Sequence, residues 1–522
     1  IKPEATQYPV AETKLEQPGG QAVPVLSHEV ATNGVLYVDM LFDAARARLS
    51  EEEVVLCGLL CKVLGRMPTA TRTYEQLATY IDLNTGGVSL EPHALALRKP
   101  VALTPTAALD YLPLLDLSLK LLPDKLAEVP AIVQELLTAT RFADLARLRE
   151  LLKETKAKMD QRAQSSPHRM LFAHVESMST PAAAFTDRVR EFRFARYLDS
   201  LLAGWPDSDE AAGSRLAARL EAVCRKLFQP RNATLLLTAE ARGLAAANDA
   251  FRAALIRATS STEAPEEEGT GESYFEQAAR AESEAAGAER KPVRKALVVP
   301  TAVNYVGMAQ NYRNGAAGCA AEPCGALLVA TRVVELDYLW NRVRVRGGAY
   351  GAFIHALRSG ALALVSYRDP NVRETLDTYR ALPDYVAQLQ QTPDELATSI
   401  IGLIGEIDAP LSAPGAGFEA ASRWLSGYDA PGALGADPAL HARAGARAGR
   451  ALPRRHRARR RRRGRRRRRR RRKQGALRRG RAAAPVTRGR GGIALALALF
   501  VVFVVVVVFT WVGVRVPRAR AP

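Results

Sequence analysis

The spacing of apolar residues over the first 258 positions alternates between strand-like and helix-like periods. Val35–Phe42 is rich in β-forming residues and predicts a largely buried strand. Ser50 then begins a helix, because Glu53 completes a capping box and apolar residues recur at helical spacing up to Gly65. These elements predict an α/β domain, with an N-terminal connector, over residues 1–258. Further helices are predicted over about 74–83, 106–122, 129–139, 143–164, 181–203 and 214–228, and a second strand over 233–238.

The composition changes over residues 259–292, where Glu, Ala, Gly and Ser dominate and aromatic residues are few. We expect this acidic stretch to be an exposed linker that is partly helical at most. A second, shorter α/β domain is predicted over residues 293–408. Its predicted strands are 297–299, 302–306, 349–354 and 361–367, and its predicted helices are about 326–344 and 393–408.

Both predicted domains contain a strand, a helix, a glycine pair and another strand in that order. The glycine pairs are Gly86–Gly87 and Gly347–Gly348. Such a pair allows positive φ and a close approach of the backbone where a helix turns back into a sheet. The intervals differ between the two domains, so the pattern is a weak indication of a duplicated α/β unit.

Arg344 and Tyr350 flank the second glycine pair. Both side chains donate hydrogen bonds, and together they could clamp a carbonyl group or an oxyanion. From spacing alone, the alternative of a surface arginine and an ordinary strand tyrosine stays open. The sequence contains no His-x-x-Glu-His, no His-Glu-x-x-His and no Gly-x-Ser-x-Gly, so it offers no metal ligands and no complete active site.

Charge is distributed very unevenly along the chain, whose formal net charge is +20. Residues from His441 onward hold 28 of the 74 basic residues and no acidic residue, which leaves 46 basic against 54 acidic residues before them. The main body is therefore mildly acidic, and we expect no nucleic-acid partner for it. The five cysteines, an odd and sparse set, indicate a cytosolic or organellar compartment without a disulfide framework.

The C-terminal region differs from the rest of the chain. Residues 409–492 are rich in Ala, Gly, Pro and Arg, and we predict that they are disordered. Residues 493–514 form a 22-residue stretch without charge that meets the length and apolarity of a transmembrane segment. A membrane partner follows only if this tail is authentic, and we favour the interpretation that it is not authentic coding sequence.

Several separated motifs, in order along residues 1–408, resemble the C-terminal half of the presequence-protease family, the organellar branch of the pitrilysin metallopeptidases with an inverted zinc motif. The most specific motifs surround the second glycine pair. The motifs are Pro24–Gly34, Asn304–Gly307, Leu339–Gly351, Ser366–Asn371, Glu374–Leu376 and Ile400–Asp408.

The resemblance implies an α/β (α+β) fold of two related pitrilysin-type domains, each a mixed or antiparallel sheet packed with helices, joined by the acidic linker. Residues 1–258 would be the third domain of the family's four, and residues 293–408 a truncated fourth. It also implies that Arg344 and Tyr350 are catalytic, that they hold the substrate backbone and oxyanion, and that Gly347, Gly348 and Ala349 bind substrate. Zinc would belong to the full-length enzyme, because its ligands lie in a half that this chain lacks.

The function implied is that of a zinc metalloendopeptidase half that degrades targeting presequences and other short unfolded peptides in the mitochondrial matrix or plastid stroma. Its partners would be those peptides and the missing N-terminal half, and this chain alone would be inactive. The chain begins with Ile1, and we expect a fragment or a processed chain. Two alternatives stay open: a non-catalytic scaffold or peptide-binding subunit of the same fold, and a membrane-anchored variant.

Overall fold

The computed structural model describes residues 10–16, 22–104, 107–205, 209–260, 271–285, 293–298, 303–314, 325–428 and 505–510. These residues form two sheets, each packed with helices, which confirms the predicted fold class. The strands are β1 (Ala11–Glu16), β2 (Ala22–Glu29), β3 (Leu36–Asp43), β4 (Val88–Thr104), β5 (Ala107–Leu121), β6 (Ala233–Ala239), β7 (Arg294–Val298), β8 (Asn304–Asn311), β9 (Gly351–Ala356), β10 (Ala361–Asp369) and β11 (Val505–Thr510).

Helices outnumber strands in the described residues and form the outer layers. One of them is a π-helix, Val334–Arg346, which continues directly from α11. The α-helices are α1 (Glu51–Val63), α2 (Tyr74–Asn84), α3 (Val129–Ala139), α4 (Leu145–Ser165), α5 (Pro167–Ser177), α6 (Pro181–Val189), α7 (Phe192–Ala203), α8 (Glu210–Leu227), α9 (Ala241–Ser260), α10 (Tyr274–Ala285), α11 (Gly325–Val333), α12 (Arg373–Arg380), α13 (Leu382–Gln388), α14 (Pro393–Ile407) and α15 (Ala413–Leu425).

The first sheet has six strands in the order β1-β2-β6-β3-β5-β4, and β2 and β6 are its parallel neighbours. One face carries the largest core of the protein, to which α1, α4, α6 and α8 contribute. The second sheet has the order β7-β11-β8-β10-β9, and its main core includes α11, the π-helix, α12 and α13. Because successive side chains of a strand point to opposite faces of the sheet, each sheet also has a second face that must be covered.

Each sheet has its second face covered by a helix from the other part of the chain. Leu171 and Val175 of α5 pack on β8 and β10, in a cluster with Ala363 and Val365. In return, Ala421 of α15 packs with Leu26 and Leu236 on β2 and β6. We call this arrangement the reciprocal helix cover. It joins the two sheets through two separate apolar clusters.

The prediction of a helix over 106–122 is wrong, because residues 107–121 form β5. This strand lies between β3 and β4 and pairs with both. Its side chains alternate between buried and less buried positions from Ala107 to Leu112, whereas all five residues of Pro113–Leu117 are buried. The many leucines of this segment satisfy helical spacing as well as strand spacing, so the period alone did not distinguish the two structures.

The single helix predicted over 181–203 is two helices, α6 and α7, separated at Arg190 and Glu191. The break lies next to the buried Asp187, whose carboxylate accepts hydrogen bonds from the Ser177 hydroxyl and from the Arg193 amide. The amide of Arg193 can reach that carboxylate because the chain leaves the helical path. No proline or glycine marks this position in the sequence.

Part of the predicted linker 259–292 is folded. Residues 274–285 form α10, which begins with a capping box between Ser273 and Glu276. Phe275 is completely buried in the first core. The prediction of an exposed linker is therefore wrong for this segment, whereas residues 261–270 and 286–292 lie outside the described residues.

The folded region also extends past the predicted boundary at residue 408. Residues 413–425 form α15, and Ser412 caps it with its side chain. The Ala- and Gly-rich composition that indicated low complexity suits this helix, because a Cβ atom on Gly417 would overlap Thr238. Small residues thus let the helix approach the first sheet closely.

Of the apolar stretch 493–514, only residues 505–510 are described, and they form β11 between β7 and β8. No helix in the described ranges combines the length and apolarity needed to cross a membrane. The remaining residues after Tyr428, including the disorder predicted for them, lie outside the described part of the chain.

Several local predictions are confirmed. The capping boxes at Ser50 and Thr392 are both present, with Glu53 and Glu395 as the reciprocal partners. Cys57 is buried in the first core, as its place on an apolar helix face predicted. Burial raises the pKa of the Cys61 thiol to about 12, so this thiol stays protonated at neutral pH.

Candidate functional site

The candidate site lies where the π-helix ends and the chain turns back into β9. A Cβ atom on Gly347 would stand 2.5 Å from the Val343 carbonyl oxygen, so only glycine allows this close approach. Gly348 has a φ of +77°, in the left-handed region that favours glycine. The two glycines therefore have separate steric roles, and together they reverse the chain between Arg344 and Tyr350.

The backbone amides of this turn are all used within the protein. Gly347 and Gly348 both donate to the Arg344 carbonyl oxygen, and Ala349 donates to that of Val343. The amide of Tyr350 donates to the Tyr367 carbonyl oxygen at 3.2 Å. An additional acceptor would therefore have to be bound by side chains at this place, not by the amides of the turn.

A buried carboxylate, that of Asp369, helps to hold the turn through Asn371. Asp369, which has no exposed surface, accepts hydrogen bonds from the Ser366 hydroxyl at 2.6 Å and the Thr375 hydroxyl at 2.7 Å. It also accepts one from the Asn371 amide, and the Asn371 side chain donates to the Gly347 carbonyl oxygen. Burial raises the pKa of Asp369, while these hydrogen bonds oppose the rise.

The structure brings Arg344 and Tyr350 together. The guanidinium carbon of Arg344 lies 5.8 Å from the Tyr350 ring centre and 4.0 Å from that of Trp340. Stacking on Trp340 orients the guanidinium plane, since the cation is attracted to the face of the indole. The Tyr350 side chain is 58% exposed, and its ring contacts that of Tyr367 edge-on at 5.1 Å.

The predicted substrate-binding residues differ in their accessibility. Gly348 is exposed, Gly347 is half-buried, and Ala349 is buried with only 3% of its surface exposed. The methyl group of Ala349 belongs to the second core. Ala349 is thus a packing residue in this structure, and substrate binding by the two glycines stays a prediction.

Three neighbours of the pair were not singled out by spacing. Trp340 lies four residues before Arg344, Arg368 has its guanidinium carbon 5.7 Å from the Tyr350 ring centre, and Asn371 holds the turn. Trp340 could have been found from its helical spacing to Arg344. Arg368 and Asn371 could not have been found from local spacing, because the pairing of β9 with β10 brings them near Tyr350.

No group of three or more His, Cys, Asp and Glu side chains in the described residues could hold a metal ion. The buried His174 instead faces Asp187, with 3.3 Å between Nδ1 and the carboxylate oxygen. His93 lies against the Phe418 ring and 3.7 Å from the Asp116 carboxylate. Both histidines are therefore used in contacts between elements of the fold.

Asp39 and Asp116 are a second electrostatic feature, on neighbouring strands of the first sheet. Both are at least nine-tenths buried. Burial raises the pKa of Asp39 to about 6, and burial together with the charge of Asp39 raises the pKa of Asp116 well above its usual range. The pair therefore resists carrying two negative charges at neutral pH.

Two family descriptions match separate parts of this chain. Residues 1–201 match the region associated with peptidases of family M16, subfamily C, and residues 294–430 match the PreP C-terminal domain. The two matches leave α10 between them, and the second includes α15, beyond the boundary predicted from composition.

The relatives cover most of this chain. Protein HypA of Clostridium perfringens is 27% identical over 428 residues, which are 82% of this chain and 40% of that protein. Presequence protease 1, chloroplastic/mitochondrial, of Arabidopsis thaliana is 27% identical over 411 residues, which are 78% of this chain and 34% of that protein. The chain thus spans about two fifths or less of the length of these relatives.

Solved structures show the same fold. A peptidase M16 inactive domain from Pseudomonas fluorescens has a TM-score of 0.55 at 13% identity and covers 96% of this chain and 98% of its own. A conserved protein from Enterococcus faecalis V583 also has a TM-score of 0.55, at 12% identity, and covers 95% of this chain and 98% of its own. At such low identity these likenesses concern the fold alone.

Proposed function

We propose that this chain serves as one half of a metalloendopeptidase that degrades short unfolded peptides. It is related to the C-terminal, non-zinc-binding half of presequence-protease-like peptidases in subfamily C of family M16. Targeting presequences cleaved from imported proteins are the substrates we propose. The compartment would be the mitochondrial matrix or the plastid stroma, in line with the name of the Arabidopsis relative.

The observation that carries the proposal is the placement of Arg344 and Tyr350. The two side chains are neighbours at an accessible surface, 5.8 Å apart by guanidinium carbon and ring centre. Within the described residues, Arg344 forms no ion pair within 4 Å, so no carboxylate competes for its donors. A guanidinium and a phenol held in this way are suited to an oxygen atom that gains negative charge during peptide-bond cleavage.

The chemistry proposed for these residues is donation of hydrogen bonds. Arg344 would hold a carbonyl oxygen of the peptide backbone, and the Tyr350 hydroxyl would donate to the oxygen of the scissile carbonyl. The contribution of Tyr350 would be larger in the transition state than in the bound substrate, because the accepting oxygen becomes an anion. The occupied amides of the glycine turn leave this task to the side chains.

The residues described here do not fit a zinc site, since no cluster among them has the ligands for one. Zinc ligation is therefore assigned in this proposal to a separate zinc-binding half, and no step involving the metal is derived from this chain. The main alternative is a non-catalytic scaffold or peptide-binding subunit of the same fold, which would bind peptides without cleaving them.

Sequencing the transcript that encodes this chain, followed by assay of its product, tests the proposal. We expect the reading frame to include a zinc-binding half with His-x-x-Glu-His, and the purified product to cleave an unstructured peptide. Cleavage should be lost on removal of zinc and strongly reduced by Tyr350→Phe. A mature protein without the zinc-binding half that binds peptides and does not cleave them would overturn the proposal and support the scaffold.

A further inference from the structure

Arg368 occupies an unusual backbone position beside the candidate site. Its φ is +50°, in the left-handed region, and it is the extra residue where the pairing of β10 with β8 shifts between Tyr367 and Asp369. A residue other than glycine, asparagine or aspartate in this region is strained, and such strain often accompanies function.

Arg368 lies against the same aromatic ring as Arg344. The two guanidinium carbons are 5.7 Å and 5.8 Å from the Tyr350 ring centre. The charge of Arg368 also acts on the buried Tyr305 of β8, because it opposes the rise in the pKa of that phenol that burial causes. The contact with the Tyr350 ring restricts the guanidinium of an otherwise exposed residue, and a restricted guanidinium loses less freedom when it binds a ligand.

Arginines outnumber acidic residues in the segment that carries the candidate site. From Trp340 to Arg373 the chain has six arginines and a single acidic residue, Asp369, whose carboxylate is buried. Among the described residues, only Arg358 of these six forms an ion pair within 4 Å, with Glu419. Burial lowers the pKa of His168, and the charges of Arg169 and Arg368 lower it further, which is consistent with a positive local potential.

We propose that Arg368 forms a binding site for a carboxylate of the bound peptide, beside the backbone carbonyl oxygen that Arg344 would hold. The Arg368 guanidinium suits a planar anion, because it can donate paired hydrogen bonds to the two carboxylate oxygens. The carboxylate could come from the C-terminus of the peptide or from an acidic side chain, and the chemistry is the same. The inference rests on the proposed function, since it assumes that this surface faces a peptide.

The test measures binding to the full chain, without turnover, by ligand-observed NMR, which needs no anionic dye. Three acetylated hexapeptides of Ala, Ser and Leu would serve as probes. The first has a free C-terminal carboxylate, the second has a C-terminal amide, and the third has the amide and one internal Glu. We expect at least one of the two acidic peptides to bind about tenfold more tightly than the neutral one, as expected for a charge-assisted hydrogen bond. Which acidic peptide is preferred identifies the source of the carboxylate.

Arg368→Asn is the decisive variant, because it removes the guanidinium while Asn tolerates the left-handed conformation. We expect it to abolish the preference for the acidic peptides, while Arg346→Asn, a matched change at the exposed end of the π-helix, keeps it. Circular dichroism and the thermal midpoint would establish that both variants fold.

Equal binding of acidic and neutral peptides by the unmodified chain would overturn the inference, and so would a preference that survives Arg368→Asn. Tighter binding of an eight-residue oligothymidylate than of any peptide would overturn it as well, since the surface would then fit nucleic acid better. These outcomes are distinct from failure of the proposed function, which is decided by cleavage and by Tyr350→Phe.

Discussion

The side-chain amide of Asn371 donates a hydrogen bond to the carbonyl oxygen of Gly347, across 24 positions of sequence. Asn371 is held in turn by Asp369, which accepts from its backbone amide at 2.9 Å. The glycine turn, and with it the position of Tyr350, therefore depends on a buried acid at the end of β10.

Asn371→Ala should loosen this turn without unfolding the second sheet. The variant loses the donor to Gly347, and the backbone amides of residues 347–350 should exchange with solvent faster by about fivefold, which corresponds to one hydrogen bond of about 1 kcal/mol. Hydrogen–deuterium exchange with mass spectrometry measures this. Asn341→Ala is the control, because the Asn341 amide bonds within its own helix. Unchanged exchange in the turn would show that Asn371 does not position it.

Tyr350→Phe should lower kcat of the completed enzyme by about 10²-fold and change KM little, since the lost hydroxyl serves an oxygen that is charged only in the transition state. Steady-state kinetics with an unstructured peptide measure the effect. Tyr80→Phe, which removes a hydroxyl bonded to Glu128 far from the site along the chain, is the control and should leave both constants unchanged. An unchanged kcat would remove Tyr350 from the catalytic step.

Asp116→Asn should stabilise the protein at neutral pH. The pKa values of Asp39 and Asp116 are higher in the folded than in the unfolded protein, so folding retains protons that the unfolded chain releases. The contribution of this pair to stability is therefore full at pH values below 3.8, the ordinary pKa of an aspartate, and falls as pH rises through the pKa of about 6 for Asp39.

In Asp116→Asn one of these acids is gone, and we expect a gain of about 1–3 kcal/mol at pH 7.5 with a flatter dependence on pH. Urea unfolding at pH 4.5, 6 and 7.5 measures both. Asp82→Asn, at an exposed position of α2, should show neither effect. A loss of stability at pH 7.5 would mean that the Asp116 charge is compensated.

Phe275→Ala tests whether α10 is part of the first core. The side chain is fully buried and its ring contacts those of Phe185 and Tyr274. Removal should cost about 3–5 kcal/mol, as for other buried phenylalanines. Ser283→Ala on the exposed side of the same helix should change the free energy of unfolding by less than about 0.5 kcal/mol. Equal, small effects would restore the interpretation of this segment as a linker.

Gly417→Ala tests the close packing of α15 on the first sheet. The added methyl group would overlap Thr238, so the helix must move, and we expect a loss of about 1–3 kcal/mol. Gly405→Ala is matched to it, because nothing lies within 4 Å of a Cβ atom there. That change should stabilise α14 by up to about 1 kcal/mol. Two changes of the same sign would contradict the close contact.

Much of the fold was predictable because capping and periodicity are local. Ser50 and Thr392 each begin a helix with a box that is complete within four residues. The failures share a physical cause, which is dependence on contacts distant in sequence. The β5 strand is buried by partners on both sides, and α15 is specified by its fit against Thr238. Neither partner can be inferred from the segment itself.

The residues of the candidate site fall into the same two groups, those specified locally and those specified by contacts distant in sequence. Its residues on one turn, Arg344 and Tyr350, were found from their spacing around two glycines, although their catalytic role stays a prediction. Arg368 and Asn371 reach the same place only through the pairing of β9 with β10. A site assembled by a turn is visible in a sequence, whereas the part contributed by a neighbouring strand needs the sheet register.

The reciprocal helix cover has a consequence for how such a protein can be divided or recombined. If residues 1–258 were produced alone, Leu26 and Leu236 would lose α15, and α5 would present Leu171 and Val175 to solvent. The opposite fragment would expose the matching surface of its own sheet. The two parts are thus not interchangeable modules, even though separate family descriptions match them, and a gene rearrangement that separated them would yield two aggregation-prone pieces.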